Sequence, residues 1–278
     1  GRSFYSGNRC EKIFGAKGRG RPEKGFDFAD FKYRLLFDRH LAPHKEPAFT
    51  VGIPRCLNFY ENFAFWHAFF VHCGINVTLS AGSTAAMSDA AKGSIMSDNI
   101  CFPAKMANAH VLDLVRQGVD RIFYPLVMYE YEEFQQEHNT FNCPIVSSYT
   151  DVIDSCLDLG AREGIPLDKP VITFRDVTLL TRACVAYLKP LGVAASRIRA
   201  AVKKGLSAHR EYKKAVREKG AWLAARSSRE QGLLVVLSGR PYHIDPLINQ
   251  KIPQILTGFG VDFITEDAVP DTSDKGFD

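Results

Sequence analysis

Short apolar runs separated by amphipathic stretches set the pattern of this chain. Ala48-Phe49-Thr50-Val51-Gly52-Ile53 predicts a buried strand ended by Pro54. The stretch 61–73 predicts a helix closed by Gly74, and 75–79 a second strand. A short helix is expected over 83–92 with Ser83 as its N-cap. A stronger one is expected over 103–117. There Pro103 suits the first turn, Met106, His110, Val111, Leu114 and Val115 share a face, and Gly118 ends it. Strands follow over 121–125 and 144–147, with a helix over 151–160.

The second half opens with a strand over 170–174 and a largely helical stretch over 179–226, interrupted near Pro190-Leu191-Gly192. Its later part places Ile198, Val202, Leu206, Val216 and Leu223 among many Lys and Arg, as in an exposed helix that packs one face only. Leu233-Leu234-Val235-Val236-Leu237 predicts a strongly buried strand. Asp245 then caps a helix with Pro246 at its first position, running to about Thr257, and a last strand covers 261–265. A helix near 28–37 precedes all of this.

Strand and helix alternate in the way of an α/β protein with mostly parallel sheets and crossover helices. Three segments are expected: a basic N-terminal extension over 1–46, an α/β domain over 47–160, and a second, helix-rich and incomplete α/β domain over 161–278. Only two strands are clear in that last unit, few for a finished sheet, so a longer natural protein is expected; the opening at Gly1 without a methionine suggests a fragment, a processed product or a trimmed tag.

Composition narrows the function classes. The 278 residues are 46% hydrophobic and 24% charged, ordinary for a globular chain. A net charge of +4 is too mild to imply nucleic acid. No stretch approaches the roughly 20 apolar residues of a membrane helix. The seven cysteines form no C-x-x-C pair, so neither a secreted disulfide framework nor a zinc ribbon fits, and a reducing, cytoplasmic setting is expected. In the N-terminal extension, Lys12, Lys17, Arg19, Arg21 and Lys24 alternate with glycines, without the spacing of a phosphate-binding P-loop. This segment is either a solvated linker or a backbone-phosphate contact.

Three loops could carry chemistry. After the first strand, Arg55 could hold a phosphate or carboxylate with Asn58 and Tyr60 orienting it; alternatively, Asn58 and Glu61 cap the following helix and Arg55 pairs with Glu61. In Ser97-Asp98-Asn99-Ile100-Cys101-Phe102-Pro103-Ala104-Lys105, Cys101 stands at a helix start, where backbone donors favour a thiolate and hence a metal ligand. Cys143 precedes Pro144 in similar fashion; both could also be simply buried thiols. In Ser238-Gly239-Arg240-Pro241-Tyr242-His243-Ile244-Asp245-Pro246, Arg240 could hold an anion and His243 act as acid or base, or Asp245 could serve only as a cap.

Taken in order, Ser6-Gly7-Asn8-Arg9-Cys10-Glu11, Gly52-Ile53-Pro54-Arg55, Leu57-Asn58, Tyr60-Glu61-Asn62, Cys101 with Pro103-Ala104-Lys105, Asn142-Cys143-Pro144-Ile145-Val146 and the Gly239–Pro246 loop resemble the acyl-CoA dehydratase activase-related family. The region is similar to the iron–sulphur subunits of 2-hydroxyacyl-CoA dehydratases. The resemblance implies flavodoxin-like (Rossmann-like) units. It also implies an iron–sulphur cluster of the [4Fe–4S] type, with Cys101, Cys143 and Cys10 as ligands. Arg55, Asn58, Tyr60, Glu61, Lys105, Arg240, Tyr242, His243 and Asp245 would then bind a ligand or tune the cluster. Expected partners are ATP-hydrolysing activase domains, a dehydratase-like partner and acyl-CoA. One departure matters: where the family's Phe-Tyr-Pro strand end is often followed by Cys, this chain has Leu126. The alternatives are therefore an interaction module without a cluster, or a metal-free binder of an anion or CoA ester.

Overall fold

The computed structural model describes residues 24–38, 43–132 and 139–269. Cys10, its Asn-Arg-Cys-Glu motif and most of the basic extension lie outside the described residues. Helix α1 (Phe28–Phe37) is capped by Asp27, whose side chain accepts from the Asp30 amide. Then come β1 (Thr50–Ile53), α2 (Phe59–His72), β2 (Asn76–Leu79), α3 (Ala85–Ala91) and α4 (Phe102–Gln117). Strands β3 (Arg121–Phe123) and β4 (Leu126–Tyr129) are followed by α5 (Pro144–Leu157), α6 (Leu159–Arg162), β5 (Leu167–Asp168) and β6 (Val171–Thr173). The rest comprises α7 (Val177–Leu188), α8 (Ala195–Arg229), β7 (Leu234–Leu237), α9 (Ile252–Gly258) and β8 (Asp262–Thr265).

Every strand pairing between these elements is parallel. One sheet runs β2-β1-β3-β5, and β4-β6 continues the β3 and β5 strands beyond short breaks at Tyr124-Pro125 and Lys169-Pro170. With those breaks bridged, the order is that of a flavodoxin-like sheet, which reverses direction of winding between β1 and β3. The third sheet is the pair β7-β8. The α/β class and flavodoxin-like organisation expected from the sequence are thus present.

Helix α2 is apolar on nearly every side, so it is buried on every side. It lies between the sheet and α8: Trp66 meets Phe123 at 4.6 Å between ring centroids, and Phe65 meets Phe174 at 5.3 Å. Each such fully buried aromatic is worth roughly 1.5–3 kcal/mol of apolar transfer. The 35-residue α8 buries one stripe, including Ile198, Val202, Tyr212, Val216 and Leu223. Gly205 lets it approach α2: a Cβ there would stand 2.7 Å from Phe65 Cδ2. Gly220 does the same against the backbone at Ala268, so one helix spans both sets of strands.

Several expectations need correction. Residues 144–147 form the first turn of α5, because Cys143 and Pro144 start a helix rather than a strand. Thr84, not Ser83, caps α3 by accepting from the Met87 amide. The strand over 121–125 is shorter, and β4 was not foreseen. Strand β7 is an edge, with Leu233 and Val236 exposed, so its apolar run is not strongly buried. Asp245 caps no long helix. A 3-10 turn over Pro241–Ile244 precedes it, its carboxylate accepts from the Leu247 and Ile248 amides, and α9 starts only at Ile252.

Candidate functional site

Ligands of open parallel sheets bind beyond the carboxyl ends of the strands, where the winding reverses. Here that place is a cavity of about 260 Å³. The segment after β1 contributes Leu57, Asn58 and Glu61; the segments around β4 and before α5 contribute Glu130, Tyr131, Thr140, Asn142 and Cys143; the loop after β7 contributes Arg240 and Tyr242. Five residues anticipated from the sequence, Asn58, Glu61, Cys143, Arg240 and Tyr242, therefore meet in one place although they come from three distant stretches of chain.

Glu130 forms the polar floor. Its two carboxyl oxygens accept from Asn62 Nδ2 and Asn142 Nδ2, each at 2.8 Å. Burial, reinforced by the nearby Glu61 carboxylate, pushes its carboxyl up to about 8, against the opposing pull of both amides and Lys213. Glu61 pairs with Lys213 Nζ at 3.3 Å rather than with Arg55. Asn58 occupies the N-cap position of α2 yet makes no capping bond with its side chain. Both its amide atoms are buried without a partner, as are Tyr131 Oη and Thr140 Oγ1.

The two thiols have matching settings. Cys101 is the N-cap of α4 and Cys143 the N-cap of α5; neither side chain is used for capping, and a proline follows in each first turn. Cys101 is exposed and Cys143 half-buried. Both act on Tyr242, whose hydroxyl is pushed up by burial first, then by Cys101 and, more weakly, Cys143, with Arg240 opposing. Cys143 lines the cavity together with Tyr242, whereas Cys101 does not. Among the described residues no group of three or more His, Cys, Asp or Glu side chains is placed to hold a metal ion. A [4Fe–4S] cluster normally takes four thiolates, so Cys101 and Cys143 alone do not fit a complete one. Leu126, at the head of β4, supplies no ligand.

The remaining anticipated residues stand elsewhere. Tyr60 and Asp245 are buried together, the tyrosine hydroxyl donating to the carboxylate. Ser83 also donates to Asp245. His110 bridges Ser83 on Nε2 (3.0 Å) and Ser80 on Nδ1 (2.9 Å), and Ser80 Oγ accepts from the Arg55 amide. With Ser83 donating to Asp245, His110 carries its proton on Nε2 and accepts from Ser80 on Nδ1. Burial holds the imidazole neutral, down to about 4. The Arg55 side chain turns to α1, with Nη1 2.9 Å from the Tyr33 hydroxyl and its guanidinium over Phe37. Lys105 holds the Asp98 carbonyl at 2.8 Å and does not line the cavity.

His243 lines a second cavity of about 300 Å³ at the carboxyl ends of β7 and β8, with Gly239, Lys32 and Glu266. Its Nδ1 accepts from the Arg240 amide at 3.2 Å; burial, then Arg240, lowers its proton affinity. A Cβ on Gly239 would stand 2.2 Å from that nitrogen, so the loop requires glycine.

Glu130, Tyr131, Thr140 and the Ser80–Ser83–His110 chain escaped the sequence reading. The signal for Glu130 was the run Leu126-Val127-Met128-Tyr129 just before it, which continues the strand past Pro125.

The family described as "CoA enzyme activase uncharacterised domain" matches residues 50–269, a stretch that holds the cavity, both helix-capping cysteines and the Asp245 cluster. No curated protein and no solved structure matches the chain. No helix among the described residues is long and apolar enough to cross a membrane.

Proposed function

We propose, on the premise that the chain belongs to the CoA enzyme activase uncharacterised domain family, that it is an electron-transfer or dehydratase-like module of an ATP-driven acyl-CoA system, supplying thiolate ligands to an iron–sulphur centre. The observation that carries this reading is the likeness of Cys101 and Cys143: each stands at the N-cap of a helix without a capping bond, the charge of each reaches the Tyr242 hydroxyl, and Cys143 lines the switch-point cavity with that tyrosine. Two thiols do not complete a [4Fe–4S] cluster. Cys10, outside the described residues, is the third thiol of the family pattern in this sequence. An iron–sulphur centre, when bound, supplies one-electron transfer at low potential. The chain's own residues would hold it at two helix starts, and Tyr242 and Arg240 would shape its surroundings. Partners in this reading are ATP-hydrolysing activase domains and a dehydratase-like protein, with the cytoplasm as the compartment.

The test compares iron and sulphide retained after anaerobic reconstitution of the full chain with that of Cys101→Ser, Cys143→Ser and Cys10→Ser. Wild type should hold iron, and the Cys101 and Cys143 variants should each lose most of it. Equal retention in all four proteins would overturn the reading.

A second reading rests on the cavity itself. The exposed Arg240 guanidinium on its lining suits a metal-free binder of an anion or CoA ester. Saturable binding to protein that never takes up iron would favour it.

A further inference from the structure

The parallel strands β7 and β8 end together over the second cavity, of about 300 Å³. Its body is apolar. Phe263, Ile244, Ala29 and Pro253 line it as buried residues, Leu237 as a half-buried one, and Ile252 is exposed. Its charged groups are of both signs. Lys32 is already engaged: its ammonium donates to both carboxyl oxygens of Asp267 and to Thr265 Oγ1. Arg240 and Glu266 are not. Both are exposed on the lining, and among the described residues neither forms an ion pair, with the other or with any third side chain. Partial burial raises the Glu266 carboxyl, and the Asp267 carboxylate beside it adds to the shift, with Lys32 opposing. His243 is the third exposed polar group. Its Nδ1 accepts from the Arg240 amide, so the neutral ring carries its proton on Nε2 and offers a donor there.

These features select an occupant. An apolar body that fills the cavity strips water from Arg240 and Glu266, and each then needs a partner of opposite charge. A ligand with one charge answers only one of them, and a ligand with two like charges is repelled by the other. An ammonium and a carboxylate on one small apolar molecule answer both. Their spacing is short, because both protein charges belong to one turn of chain: Gly239 precedes Arg240, and its backbone N–H acts on the Glu266 carboxylate.

We propose that the second cavity binds a free apolar α-amino acid, with its ammonium on Glu266, its carboxylate on Arg240 and His243 Nε2, and its side chain against Phe263, Ile244 and Ile252. About 300 Å³ is at the small end of ligand sites, as a single amino acid requires. Arg240 also lines the switch-point cavity, so the two cavities share that residue, whereas Glu266 and Ile252 line only the second of them.

The test uses the full chain, purified iron-free, with three probes followed by chemical shifts of the lining residues: L-leucine, isocaproate and isopentylamine. Leucine should bind saturably. Isocaproate, which lacks the ammonium, and isopentylamine, which lacks the carboxylate, should each bind at least about tenfold more weakly. Glu266→Gln should cost leucine about tenfold and leave isocaproate unchanged. Arg240→Gln should cost leucine and isocaproate a similar factor and leave isopentylamine unchanged. Ile252→Ser should weaken all three. These side chains are exposed, so the variants should fold. Equal binding of leucine and isocaproate would overturn the proposal. So would leucine binding untouched by Glu266→Gln, or no saturable shift with leucine. The protein is iron-free and the deciding residue, Glu266, lies outside the switch-point cavity, so failure here and failure of the thiolate reading are told apart.

Discussion

Tyr60 donates its hydroxyl proton to the buried carboxylate of Asp245, 185 residues further along the chain. The bond ties the first helix of the main sheet to the loop that follows β7. The same carboxylate accepts from Ser83 and two backbone amides, so four donors converge on one carboxyl group. Such a fully donated carboxylate fixes the Arg240–Tyr242 segment against the cavity. Tyr60→Phe keeps the ring packing against Phe37 and removes one donor. Urea unfolding should show a loss of about 1–3 kcal/mol. An unchanged midpoint and slope would mean that the contact carries no weight.

Glu130 and His110 give the stability of the chain a definite pH dependence. Burial raises the folded proton affinity of Glu130 to about 8 from the ordinary 4.5 of a glutamate. The folded state therefore holds a proton that the unfolded chain has released, and stability should fall as pH rises through that window, by up to about 1.4 kcal/mol per unit. The groups facing Glu130 are Glu61 and Lys213, with Asn62, Asn142 and Tyr131 completing its surroundings. Glu130→Gln should flatten this slope in denaturant unfolding measured from pH 6.5 to 8. The variant should fold, because Asn62 Oδ1 is unpartnered and a flip of that amide lets it accept from the new N–H.

For His110 the sign is reversed. Its folded proton affinity is lowered to about 4 from 6.5, so the unfolded chain binds the proton first as pH falls. Stability should drop between about pH 6.5 and 4, opposing the Glu130 trend there. His110→Gln should remove the acid-side loss, and stability of that variant should decline with pH across most of the range from 4.5 to 8. An acid limb identical to wild type would contradict the buried, neutral imidazole.

The α2–α8 crossing depends on the absence of a side chain. Gly205→Ala places a methyl group 2.7 Å from Phe65 Cδ2 and 2.9 Å from the Phe65 carbonyl. The rings of Phe65 and Phe174 pack directly behind, so the clash has no easy relief. Helix propensity alone would favour alanine by about 1 kcal/mol. Overpacking of about 1–3 kcal/mol should win, and thermal melting should show a lower midpoint. A raised midpoint would mean that the helices separate at little cost.

How much of this was legible in the sequence depends on what each segment leans on. Helix α4 declared itself because Pro103 and Gly118 mark its ends chemically and its apolar face has the helical period. The start of α5 did not, since Pro144-Ile145-Val146 has the apolar, β-branched look of a strand, and only the N-cap geometry at Cys143 decides for helix. The run at 233–237 looks like a central strand, yet among the described residues only β8 pairs with it. At the site, loops rich in Arg, Asn and Cys after strands were visible, and five of their residues share the cavity. Their division into two clusters was not. Arg55 lies on Tyr33, and Tyr60 on Asp245, because side-chain direction after β1 is set by α1 packing from a different part of the chain. Glu130 was missed because the Tyr124-Pro125 break hides the continuation of its strand.

The central claim is that Cys101 and Cys143 are thiolate ligands of an iron–sulphur centre. Iron and acid-labile sulphide in the full chain purified without oxygen, with visible spectra before and after dithionite, test it most directly. Near-equimolar iron and sulphide with a thiolate-to-iron band that bleaches on reduction is the predicted result. Colourless, iron-free protein that also resists reconstitution would contradict it.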